Sequence, residues 1–143
     1  MGTHPEVPPS VVDDLRVICS GLPEAREEQA WTGTRWRVGS ETFAHVVMIA
    51  DGWPPRYVRA VGTDGPVTVL TFQAAGDELE ALRHLGHPYF QPGWRPGIVG
   101  MIIDDRTDWQ EVAELLTESY CLLAPKRLVG RVARPPAAGS VDD

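Results

Sequence analysis

Residues 98 to 103, IVGMII, form an unbroken apolar run bounded by Gly97 on one side and by Asp104 and Asp105 on the other. A run this short, with a β-branched majority and closed at both ends, predicts a strand covered on both faces or nearly so. A strand of that kind needs neighbours in a sheet, so the rest of the chain has to supply partner strands and cover. The stretch leading into it, GHPYFQPGWRPG from Gly86 to Gly97, cannot be regular, because Pro88, Pro92 and Pro96 each lack a backbone donor and have a fixed φ. An aromatic, proline-stiffened loop feeding a central strand is either a lid on the core or the wall of a pocket.

Hydrophobic periodicity supplies the other elements. Val12, Leu15, Ile18, Cys19 and Leu22 recur at helical spacing behind Ser10, a suitable N-cap, and Gly21 and Pro23 stop that helix. Glu24 to Ala30 shows neither period and reads as an irregular or edge-strand connection. Thr34 to Val38 alternates, with Thr34, Trp36 and Val38 on one face and Arg35 and Arg37 on the other. Gly39-Ser40-Glu41 turns the chain into a return strand over residues 42–50. Arg56 to Val61 and Pro66 to Phe72 predict a second hairpin around Gly62-Thr63-Asp64-Gly65. Asp77 caps a short helix carrying Leu79, Leu82 and Leu85, which Gly86 ends. The last helix starts at Thr107 or Asp108, carries Val112, Leu115, Leu116, Ser119, Leu122 and Leu123, and stops at Pro125. The order predicts an α+β, two-layer fold: an antiparallel sheet of two hairpins plus a later strand, with N- and C-terminal helices packed on one face. One domain is expected over residues 10–130, between a flexible N-terminus (1–9) and a disordered tail (131–143).

A chain of 143 residues buries enough surface to fold without a disulfide or metal staple. Cys19 and Cys121 therefore read as small core residues in a reducing compartment. No apolar run approaches the roughly 18 residues of a spanning helix, and no signal-like segment is present, so a cytoplasmic protein with no membrane partner is expected. Acidic residues outnumber basic ones 20 to 13, for a net charge of −7, and Lys126 is the sole lysine. Any nucleic-acid reading must overcome that charge, because phosphate binding needs a positive face.

The chain has no nucleophile-elbow, dinucleotide-binding or Walker pattern. His84 and His87 are three apart, but Gly86 breaks the helix between them and no cysteine or carboxylate completes a ligand set. His45, among valines and a methionine, reads as a satisfied core histidine. Asp108, Glu111, Glu114 and Glu118 share a helix face that reads as solvated. No cofactor and no metal are expected, and the protein reads as a non-enzyme.

Two constellations remain. Arg35, Arg37, Arg56 and Arg59, with Trp36 and Tyr57 interleaved, can meet the phosphates and bases of duplex DNA or can be an ordinary solvent-facing sheet surface. His87, Tyr89, Phe90, Trp94 and Arg95, together with Trp53, can line a pocket for a planar small molecule or can cap the core's open end. A protein-interaction module using the sheet face is the third reading.

The first helix with its Leu-Pro ending (DLRVICSGLPEA), the Phe43 hairpin, the loop HPYFQPGW and the closing ELLTESYCLLAPKRL together resemble the MmcQ/YjbR-like family, over about residues 12 to 128. The Glu118-Ser119-Tyr120 triplet and Ala124-Pro125-Lys126 match its Ser-Tyr…Lys ending most closely. The resemblance implies a CyaY-like α+β fold whose hairpins form a double-wing motif with proposed DNA binding. It also implies a rival role, since the family occurs in biosynthetic clusters for DNA-reactive natural products, where a drug-binding or resistance protein is wanted. This chain departs from a DNA-binding pattern in being acidic and nearly free of lysine.

Overall fold

The computed structural model describes residues 6–133. Six strands form one sheet in the order β1-β2-β3-β4-β6-β5, every neighbouring pair antiparallel. They are β1 (Arg26–Gln29), β2 (Thr34–Val38), β3 (Glu41–Ile49), β4 (Val67–Gln73), β5 (Tyr89–Phe90) and β6 (Ile98–Ile103). The helices are α1 (Pro9–Ser20), α2 (Pro55–Val61), α3 (Gly76–Leu85), α4 (Trp109–Leu123) and α5 (Lys126–Val129). The apolar run 98–103 is the inner strand β6, between β4 and β5, and Ile98, Val99, Gly100, Met101 and Ile103 are buried.

The sheet has two covered faces. On the first, α1 and α4 pack Leu15, Cys19, Val112, Leu116 and Tyr120 against Trp36, Val46, Leu70, Phe72, Val99 and Met101. This is the main core and the expected placement of the N- and C-terminal helices. Alternation sends Val47, Ile49, Val69 and Ile102 to the second face, where Tyr57, Val58 and Val61 of α2 cover them with Phe90 and Trp94. Gly100 lies beneath the Phe90 ring, in space that a β-carbon would contest.

Residues 56–61 are thus a helix, and the second predicted hairpin does not form. Pro55 occupies the first turn, where its missing N–H costs nothing, and Gly62 closes the helix at φ 84° with its N–H on the Val58 carbonyl. Tyr57, Val58 and Val61 make a helical stripe as readily as Tyr57, Arg59 and Val61 make an alternating one, and β4 pairs directly with β3 instead. Other boundaries shift less. The connection after α1 contains the edge strand β1, whose charged residues Arg26, Glu27 and Glu28 suit an unpaired edge. The proline-rich loop includes the two-residue strand β5. Ser10 does not cap α1: the helix begins at Pro9, and Val7 is already buried in the core, so the ordered domain starts before residue 10. Asp77 lies in the first turn of α3 and makes no cap bond. Asp108 does cap α4, accepting from the Gln110 and Glu111 N–H groups at 3.0 and 3.3 Å. Both cysteines are free thiols, and burial pushes that of Cys19 up. Of the expected tail, residues 131–133 extend past α5 and 134–143 lie outside the described residues.

The Ser119-Tyr120 pair is structural. Register shifts between Trp36 and Arg37, leaving Phe43 as an extra residue of β3, directed with its neighbour Ala44 into the first-face core. At that irregularity the Ser119 hydroxyl donates to the Phe43 carbonyl at 2.8 Å and accepts the Gln73 N–H at 2.9 Å. Tyr120 donates to the Pro23 carbonyl at 2.6 Å and meets the Phe43 ring edge-on, with centroids 5.3 Å apart. α4 is thereby tied to the sheet and to the connection after α1.

Candidate ligand-binding cavity

Cross-strand pairing sets one row of side chains across the second face: Glu28 opposite Arg35, Arg35 opposite His45, His45 opposite Thr71, and Thr71 opposite Gly100. Directly paired residues share a face, so this polar row runs beside the apolar one that α2 covers. Above it lies a cavity of about 480 Å³, within the size range of small-molecule sites. His45, Thr42 and Thr71 lie at its sheet side, α2 contributes Arg56 and Tyr57, and the loop before β6 contributes Trp94 and Arg95. Trp31 and Thr32, from the β1–β2 turn, complete the wall.

The floor is neutral and its hydrogen bonds run in one direction. The Thr32 carbonyl can only accept, so the His45 Nε2 at 2.8 Å carries the proton and Nδ1 is left as an acceptor. The Tyr57 hydroxyl, 3.4 Å from Nδ1, is the matching donor. Burial lowers the His45 pKa below its ordinary 6.5, with the charge of Arg35 adding to the effect against the Thr32 bond. Burial also raises the Tyr57 hydroxyl to about 12, so it keeps its proton. Gly33, at φ 73°, lets this turn cross the Val46 carbonyl where any side chain would collide.

The walls are aromatic and cationic. Tyr57 and Trp94 meet edge-on with centroids 4.8 Å apart, and the Arg56 guanidinium carbon lies 3.9 Å from the Trp94 ring centre. Trp31 is 77 % exposed and packs at 5.2 Å on Trp53, a tilted pair at the rim. Arg35 contacts Glu28 through Nε at 3.1 Å and a terminal nitrogen at 3.0 Å. Glu28 also faces Arg37 at 3.5 Å and Arg26 at 3.8 Å. Burial opposes ionisation of Glu28, but Arg35 and Arg37 outweigh it and hold the carboxyl below its usual range.

The two constellations read from sequence are redistributed. Arg35 and Arg56 from the first and Trp94 and Arg95 from the second line the same cavity. Arg37 stands beside it, bonded to the Ser40 carbonyl at 2.6 Å, and Arg59 is an exposed residue of α2 outside the lining. Trp36 cannot lie under a base: it is fully buried on the opposite face, with its indole N–H on Glu27 at 3.2 Å. Tyr89 also points away, into the first-face core, and His87 is exposed beside a separate depression with Asp104 and Glu111. Trp53 backs Trp31 and is not itself in the lining. Sequence reasoning missed Trp31, Thr32, Thr42 and Thr71, and assigned His45 to the core. The available signal was a polar residue on the second-face phase of two neighbouring strands, at His45 and Thr71. His84 is bonded to the Glu80 carbonyl of its own helix at 2.8 Å, and no group of three His, Cys, Asp or Glu among the described residues is placed to hold a metal ion.

Among the described residues no helix is long and apolar enough to cross a membrane. No match was found among curated proteins. The crystal structure of Deinococcus radiodurans protein DR2400, which carries a DUF419 domain, is similar at a TM-score of 0.60 and 21 % identity, covering 92 % of this chain and 95 % of that one. At that identity the likeness concerns the fold. The family model described as YjbR matches residues 20–122, the whole sheet together with α2, α3 and nearly all of α4. That span takes in the cavity and the Ser-Tyr clasp alike, and the chain belongs to the YjbR family.

Proposed function

We propose that this protein is a non-catalytic binding module for a planar small molecule, held between the polar row of the sheet, α2 and the loop before β6. The observation that carries the reading is the cavity itself, about 480 Å³ with Tyr57 and Trp94 fixed against each other in its wall and Trp31 at its rim. Aromatic faces in a concavity favour a flat ligand, and a few convergent polar groups orient it. The floor supports binding over turnover, because the His45 nitrogens are already engaged with Thr32 and Tyr57. Duplex DNA is the less supported reading: Trp36 is buried, and Arg35 and Arg37 share a carboxylate.

The test uses 2-naphthamide and 2-naphthoate as flat probes. At least one should raise the thermal midpoint of the protein, as any ligand selective for the folded state does, and should shift the Trp31 and Trp94 indole resonances. Trp94→Ala should abolish the thermal response and the shift of the Trp31 resonance while retaining a folded spectrum. Undiminished binding by that folded variant, or no response to either probe by the parent, would end this reading.

A further inference from the structure

The charge of the cavity runs against that of the chain. Acidic residues exceed basic ones 20 to 13 overall, yet Arg35, Arg56 and Arg95 line this one cavity and no Asp or Glu does. The nearest compensation is Glu28, and it is shared among Arg26, Arg35 and Arg37, so three guanidinium groups meet one carboxylate. Among the described residues no carboxylate forms an ion pair with Arg56 or Arg95. The Arg56 guanidinium carbon lies over the Trp94 ring, 3.9 Å from its centre, a cation–π contact that occupies no carboxylate. With His45 engaged and neutral, the charges at the cavity wall are all guanidinium groups.

Resting on the binding reading above, we infer that the ligand is a planar aromatic acid, its ring against Trp94 and Tyr57 and its anionic group held by Arg56 and Arg95, with Arg35 on the far wall. An oxyanion fits this setting in a way a neutral ring does not. Charge-assisted hydrogen bonds to guanidinium are short and can be bidentate, and several guanidinium groups converge on this one cavity. Carboxylate and phosphate share this chemistry, so the probes separate them.

The experiment compares 2-naphthoate, 2-naphthyl phosphate and neutral 2-naphthamide by calorimetry and by indole chemical shifts on the full chain. At least one anion should bind tenfold or more tighter than the amide. Arg95→Gln should cut that advantage at least threefold, and the Arg56→Gln/Arg95→Gln pair should bring the ratio of anion to amide affinity close to one. Arg95 is exposed and makes no described ion pair, so its single variant keeps the test open if loss of the Arg56–Trp94 contact unsettles the loop. Equal affinity for acid and amide, or an acid preference that survives both variants, overturns the assignment of an acid and leaves the binding reading intact. Absence of any binding overturns both.

Discussion

At the scale of single residues, His45 shows how a side chain can satisfy its bonds and still belong to a site. Its Nε2 is bonded to the Thr32 carbonyl and its Nδ1 faces Tyr57, as a core histidine requires, yet the residue lines the cavity. Because burial depresses its pKa in the folded protein, the unfolded chain takes up a proton at this position first as pH falls. The stabilisation is complete above the ordinary value of 6.5 and is lost as pH drops through the depressed folded one. The thermal midpoint should therefore decline between pH 7 and pH 5, and His45→Gln should flatten that decline. A variant with the parent's slope would show that His45 is not the titrating group. Trp36 carries the opposite lesson. Alternation in TRWRV grouped it with Thr34 and Val38, and that phase is the buried one, so its place in the core was readable and only its assignment to an exposed wing was mistaken.

At the scale of elements, legibility followed how far local signals agreed. α4 was plain because a capping aspartate, a sustained apolar stripe and a terminating proline point the same way. α2 was not, because YVRAV fits both periods, and the decision rested on Pro55 at its start and left-handed Gly62 at its end. Correcting that one element also moves Arg56 and Arg59 off a hairpin, which is why the arginine constellation dissolved. The cavity stayed hidden for a related reason: its residues come from β2, β3, β4, β6, α2 and three connections, and only strand pairing brings Arg35, His45 and Thr71 into one row. The Ser119 clasp was equally unreadable, since the carbonyl it serves lies 76 residues away and is freed by an irregularity in β3. Ser119→Ala would leave the Phe43 carbonyl and the Gln73 N–H without that partner in the interior. The loss expected is about 1–3 kcal/mol in urea unfolding, the typical cost of orphaned buried groups. A loss below about 0.5 kcal/mol would mean that water or relaxation of the bulge replaces the hydroxyl.

At the scale of the whole molecule, the question is whether local cations can act against a net charge of −7. For a long, exposed polyanion the answer depends on the field over many ångströms, and within a Debye length of about 8–10 Å the partners of Arg35 and Arg37 matter as much as the arginines. Those two share Glu28, which also faces Arg26, and Arg16 is committed to Glu27 and Asp13. For a small anion inside the cavity the reach is shorter, and the groups that count are the arginines lining it. One distribution of charge thus favours a compact acid and disfavours a duplex. Titration with a mixed-sequence 20-base-pair duplex at low and at physiological salt should accordingly show no saturable binding that follows the counterion law. A specific interface would instead lose about 0.9 in log K per phosphate contact for each tenfold rise in salt, with Arg35→Ala/Arg37→Ala flattening the slope. Observing that slope and its flattening would restore the nucleic-acid reading and show that three arginines around one carboxylate project enough field to hold a backbone.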